Sequence, residues 1–163
     1  MCATQINHRK RLEKVYEYLN GGSLLILSHP ISARDRTTEN KYRQDSFLYY
    51  LINFTEPECA LLILGHKKAG ERFILFLRDK DPVDELWSGK RLGVKNATSQ
   101  LPIDQALPIE TLWNKLPDLL MGTDKIYYSF GKDLKKDECF IKSIKEHQKK
   151  RGRTICSQLP ILD

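Results

Sequence analysis

The stretch CALLILGHKKAGERFILFL, Cys59 to Leu77, decides the fold. CALLIL and RFILFL are apolar without interruption, shorter than a buried helix and bounded by polar residues. Each therefore reads as a strand covered on both faces. Between them, GHKKAGE carries two glycines and a cluster of charge, the composition of a hairpin loop, so the two strands are central antiparallel neighbours. A strand that is apolar on both sides needs a covering layer above and below. The reading is a three-layer α/β/α domain with a mixed β-sheet.

The flanking sequence supplies the layers. Leu12, Val15, Tyr16 and Leu19 recur at i, i+3, i+4 and i+7, which predicts a helix from about Gln5 to Leu19, closed by Asn20-Gly21-Gly22. SLLILS (Ser23 to Ser28) reads as a strand and His29 to Lys41 as a charged loop without periodicity. Asp45 to Leu51 reads as a short helix with Phe47, Tyr50 and Leu51 on one face. Asp81-Pro82 starts a helical turn that runs to about Trp87, with proline in the first turn. Pro108 opens a helix with Ile109, Leu112, Trp113, Leu116 and Leu120 inward, and Pro117 is expected to kink or divide it. KIYYSF (Lys125 to Phe130) reads as a strand, Asp133 caps a last helix to about Arg151, and Arg153 to Ser157 reads as a final strand.

A chain of 163 residues, 40% apolar and 29% charged, has the size and composition of one folded domain rather than a disordered segment. No apolar run is long enough to span a membrane, and the basic N-terminus has no apolar segment behind it. Cys2, Cys59, Cys139 and Cys156 lie far apart, without the close pairs of zinc ribbons or thioredoxin-like sites, and suit buried or incidental thiols in a reducing cytosol. The net charge is +6, and Lys132 to Arg153 holds nine Lys or Arg against four Asp or Glu. Such a stripe suits phosphate binding, but Phe140, Ile141 and Ile144 fall at helical spacing within it. The simpler reading is the solvated side of an amphipathic helix. Binding to nucleic acid would show as salt-sensitive association.

Catalytic machinery is sparse. There is no G-x-G-x-x-G, no Walker A loop, and no H-x-x-x-H or H-E-x-x-H spacing among His8, His29, His66 and His147. His147, beside Glu146 on a lysine-rich stretch, reads as exposed. Asp79/Asp81 and Asp84/Glu85 pair at a helix start, where the backbone dipole favours negative charge. From the residues alone, the chain binds or shapes something rather than reacting.

Two segments carry a resemblance. YRQDSFLYYLINFTEPECALLIL (Tyr42 to Leu64) resembles Y-R-Q-[DN]-S-x-F-x-Y-L-T-G-F-x-E-P-x-A-x-L-x-L. RDKDPVDELWSGKRLGVKNA (Arg78 to Ala97) is similar to R-D-x-x-x-E-x-W-x-G-x-R-x-G-x-x-x-A. Both patterns belong to the N-terminal domain of Xaa-Pro aminopeptidases (aminopeptidase P), within the creatinase/prolidase group. The resemblance implies a creatinase/prolidase N-terminal fold with a ribonuclease H-like motif. It implies residues 1–157 as this domain and 158–163 as the start of the connection to a C-terminal, pita-bread metallopeptidase domain. In such enzymes two divalent metals, commonly manganese, sit in that second domain on two Asp, one His and two Glu. The metal-bound hydroxide cleaves the bond before proline.

By the same resemblance this chain holds no catalytic residue and no metal, and belongs to a cytoplasmic homo-oligomer, dimer or tetramer, acting on X-Pro peptides. Its partners are the catalytic domain and neighbouring subunits, with neither nucleic acid nor membrane among them. Trp87 is implied to line the substrate pocket of a neighbouring subunit, and Arg43, Gln44, Asp45 and Arg91 to form a structural motif at the active-site entrance. Phe47, Tyr49, Tyr50 and Leu51 are expected to wedge the short helix onto the sheet, while Arg43, Gln44 and Asp45 hold the preceding loop by charge-assisted hydrogen bonds. Trp87 is expected to be exposed, having no apolar partner at i+3 or i+4, and Trp113 buried. The sequence departs from the family pattern at Asn53, often Gly, and at Thr37, often Asp. Asn tolerates left-handed backbone, so the turn at Asn53 is expected to survive. A free-standing interaction module of the same fold is the alternative reading. A catalytic half downstream in the parent reading frame would decide for the enzyme.

Overall fold

The computed structural model describes residues 3–30, 33–35, 38–39 and 42–151, without the side chains of residues 3–4, 33–35, 38–39 and 87–88. The order is α1 (Ala3–Leu19), β1 (Ser23–Leu27), β2 (Ala33–Asp35), β3 (Thr38–Glu39), α2 (Ser46–Ile52), β4 (Ala60–Leu64) and β5 (Phe73–Leu77). There follow α3 (Pro82–Ser88), α4 (Val94–Gln100), β6 (Gln105–Pro108), a 3-10 turn (Ile109–Thr111), α5 (Leu112–Leu119), β7 (Ile126–Tyr128) and α6 (Leu134–Lys150).

The main sheet runs β6-β5-β4-β1-β7. β4 is antiparallel to both β1 and β5, whereas β6 is parallel to β5 and β7 to β1. Four strands thus point one way, and β4 alone opposes them. Every residue of β4 and β5 is buried, as their unbroken apolar character requires. Because side chains alternate across a strand, each strand feeds two cores. Leu61, Ile63, Phe73 and Leu75 meet α1, α2 and α4 through Leu12, Leu48, Ile52 and Ala97. On the opposite face, Leu62, Ile74 and Phe76 meet α5 and α6 through Leu112, Leu116, Phe140 and Ile144. The three-layer α/β/α domain with a mixed β-sheet is observed.

Several local expectations need correction. α4 and β6 occupy 94–108, where neither was expected, and β2 pairs with β3 inside the segment read as an irregular loop. Pro117 does not divide its helix but lies inside α5. A proline cannot donate to the carbonyl four residues back, so the Trp113 carbonyl loses its intrahelical partner. The Ser143 hydroxyl of α6 takes its place at 3.1 Å, and His147 Nδ1 lies 3.0 Å from the Pro117 carbonyl. His147 is therefore buried, not exposed, because the Pro117 carbonyl, in the last turn of α5 and without an amide partner four residues on, is there for its ring to bind. Ile141, expected with Phe140 and Ile144 on the packed face of α6, is exposed. The expected strand at Arg153 to Ser157 lies outside the described residues.

Candidate functional site

Gln44 and Asp45 are the buried end of the YRQDS motif. Asp45 caps α2, its Oδ1 accepting from the amides of Phe47 and Leu48 at 3.0 and 3.1 Å, while Oδ2 takes Lys132 Nζ at 2.8 Å. His29 stands 3.7 Å from the same oxygen. Burial opposes ionisation of Asp45, but the Lys132 ammonium and the two helix amides outweigh it and hold its pKa below the ordinary carboxylate value. Gln44 donates to the Glu56 carbonyl at 2.8 Å and to Cys59 Sγ at 3.5 Å, and its own Oε1 accepts from the Asp45 amide and the Tyr42 hydroxyl. The motif thus clips the entry of α2 to the turn that leads into β4. Asn53 closes α2 in the left-handed region, φ 53°, so the turn does survive without glycine.

The second motif is built on carboxylates. Asp81 caps α3 through the amides of Val83 and Asp84, and Asp79 Oδ1 accepts from the amides of Lys80 and Val94. Glu85 accepts from the Arg91 amide at 3.0 Å, and Asp84 pairs with the Arg91 guanidinium at 3.0 Å. The acidic pairs at this helix start are structural, as their position predicted.

The two motifs meet. Glu56 Oε1 accepts from the Leu92 amide at 2.8 Å, and Arg78 pairs with Glu58 at 3.5 Å. At this junction a cleft of about 570 Å³ opens beyond the carboxyl ends of β1, β5 and β6, lined among others by Leu27, Arg78, Arg91, Glu110, Trp113 and Lys136. The carboxyl ends of parallel strands are a recurrent position for ligand clefts in α/β sheets. Cys59 also lines it, but burial, opposed only in part by the Gln44 hydrogen bond, pushes its thiol up to about 12. It stays protonated at neutral pH and is no nucleophile. Among the described residues no three His, Cys, Asp or Glu side chains converge to hold a metal ion. A dinuclear centre does not fit them.

Of the residues singled out from the sequence, the structure brings Gln44 and Asp45 together and places Arg91 on the cleft wall. Arg43 is exposed and has no ion pair among the described residues, and the loop that it is expected to hold lies largely outside them. The Trp87 side chain and Thr37 lie outside the described residues. Phe47, Tyr49 and Tyr50 are 69%, 50% and 54% exposed and do not wedge α2 onto the sheet; Leu48, Leu51 and Ile52 do. Trp113 is half-buried at the cleft rather than sealed in the core. Sequence reasoning missed Lys132, Glu56 and Arg78 as partners. The signal for Lys132 was faint: one cation of a basic stripe, just ahead of the Asp133 cap and far in sequence from the carboxylate that it meets.

Residues 8–127 match the family described as aminopeptidase P, N-terminal domain. The chain is 37% identical over 120 residues to a Xaa-Pro aminopeptidase of Haemophilus influenzae, covering 73% of this chain and 28% of that protein. It is 33% identical over 123 residues to the Xaa-Pro aminopeptidase of Escherichia coli, covering 76% and 28%. Among solved structures, the Pseudomonas aeruginosa aminopeptidase PepP superposes with a TM-score of 0.86 at 29% identity, over 98% of this chain and 36% of the other. The chain spans less than a third of the length of these curated relatives.

Proposed function

Because the chain belongs to the aminopeptidase P N-terminal domain family, we propose that it is the accessory domain of a Xaa-Pro aminopeptidase. Metal-dependent release of the N-terminal residue from X-Pro peptides then takes place in a C-terminal domain of the longer polypeptide. The observation that carries this reading is the extent of the match, nearly the whole chain superposing on about a third of an aminopeptidase. One solved relative is a zinc-substituted Escherichia coli aminopeptidase P in complex with product, which supports a metal-dependent reaction. Two divalent ions, manganese foremost, belong to that catalytic half in this reading. The residues described here offer them no ligand set, and the 163-residue chain alone is proposed to be inactive.

The domain's role is to narrow access to the active site and to build the oligomer. α3 is suited to this: Val83 and Leu86 are 67% and 82% exposed, and Trp87 follows on the same short helix. Apolar side chains left in water on one helix mark a contact surface. Trp87 is proposed to reach the substrate pocket of a neighbouring subunit, with Arg91 fixing the end of α3 through Asp84 and Glu85. In the full-length enzyme, Trp87→Ala should impair turnover of X-Pro peptides while scarcely changing the unfolding free energy of the 163-residue chain. A loss of about 3–5 kcal/mol in that chain, the scale of truncating a core aromatic, would assign Trp87 to the core instead.

A further inference from the structure

The cleft beyond the carboxyl ends of the parallel strands has a volume of about 570 Å³, within the range of small-molecule sites. Its wall is mixed: Leu27, Ile109, Leu112 and Trp113 are apolar, and charges of both signs stand among them. Most of those charges are already engaged, Arg91 with Asp84 at 3.0 Å and Lys136 with Asp133 at 3.9 Å.

Two are not. Arg78 has a side chain only 15% exposed, yet its one ion pair among the described residues is a 3.5 Å contact to half-exposed Glu58, and its buried Nε has no acceptor. A guanidinium carries five N–H donors in a planar fork shaped for a carboxylate, so most of its capacity is unspent. Glu110 is exposed and forms no ion pair among the described residues. The register sets the two side by side. Leu77 of β5 pairs with Pro108 of β6, so Arg78 and Glu110 leave adjacent strands one and two residues past the last rung. They do not pair with each other. A donor fork and a carboxylate at neighbouring strand ends, beside a half-buried indole, complement a molecule bearing both a carboxylate and an ammonium.

We propose that this cleft binds a small zwitterion, a free amino acid or a dipeptide, with its carboxylate on Arg78 and its ammonium on Glu110. The inference rests on the charges of the cleft and does not depend on the peptidase reading.

Calorimetric titration of the 163-residue chain with L-alanyl-L-alanine at low salt should give saturable one-site binding. N-acetyl-alanyl-alanine amide, which carries neither charge, should give none. Arg78→Gln should weaken the dipeptide roughly tenfold or more, as loss of a charge-assisted hydrogen bond does. Glu110→Gln, at an exposed position where folding is not at stake, should weaken the dipeptide several-fold. It should leave N-acetyl-alanyl-alanine, which has only the carboxylate, bound as by the unaltered chain. No saturable heat up to about 20 mM dipeptide, equal binding of the uncharged analogue, or unchanged dipeptide affinity in Glu110→Gln would each overturn the proposal.

Discussion

Asp45 is almost wholly buried and yet ionised, because it caps a helix and neutralises an ammonium at the same time. Those two duties can be separated. Asp45→Asn keeps a good cap and loses the charge pair, whereas Asp45→Ala loses both. Urea unfolding should show Ala costing about 1–3 kcal/mol and Asn distinctly less, since Lys132 is exposed enough to recover water. His66 works in the opposite sense. Burial first, and the neighbouring Lys67 ammonium second, hold its pKa below 6.5. The unfolded chain therefore takes up a proton near pH 6.5 that the folded chain refuses. Its contribution to stability is complete above that pH and is lost as the pH falls through the folded-state value. Unfolding free energy measured between pH 7.5 and 5, a range set about the unfolded His value, should decline on acidification, and His66→Gln should reduce the slope.

At the scale of elements, α5 and α6 are joined by a substitution of donors. Pro117 leaves the Trp113 carbonyl without an amide, and Ser143 supplies a hydroxyl. Ser143→Ala should cost about 1–2 kcal/mol. In a Pro117→Ala background the amide returns, so the same change should cost less, and a double-mutant cycle should show a coupling of about 0.5–1 kcal/mol. The elements that were legible in the sequence have one property in common: they bury a continuous run or an unambiguous stripe, as β4, β5 and α1 do. α4 reads VKNATSQ and buries a single alanine, and β6 is a four-residue edge strand ending in proline, so neither carries a periodic signal. In α2 two faces satisfy helical spacing, Phe47/Tyr50/Leu51 and Leu48/Leu51/Ile52. Only the packing of α2 against α1 and the sheet decides for the second. The candidate site was legible as a motif but not as a geometry, because Lys132 and Arg78 are brought to it by the sheet.

For the whole molecule, Asp104 is the fastening between layers. Its buried carboxylate accepts from the amides of Arg72 and Phe73 at 2.8 and 3.1 Å and from Arg9 of α1 at 2.7 Å. Arg72 in turn holds Glu13 at 2.8 Å, and the Arg9 guanidinium lies 4.4 Å from the centre of the Phe73 ring. Asp104→Ala strands two amides and a part-buried guanidinium at once, and should cost about 3–5 kcal/mol in denaturant unfolding, with faster hydrogen exchange in α1 and at the start of β5. The sheet's threading has a different kind of consequence. β1 pairs on one side with β4 and on the other with β7, Ser23 meeting Ile126. As the chain leaves the ribosome, β4 (Ala60–Leu64) reaches β1 early, but β7 (Ile126–Tyr128) is made well after β4. Throughout that interval SLLIL, a segment without a single charge, presents an unpaired edge of the kind that recruits other chains. Among the described residues β7 is the last strand to be made, and it is the one that covers this edge of β1.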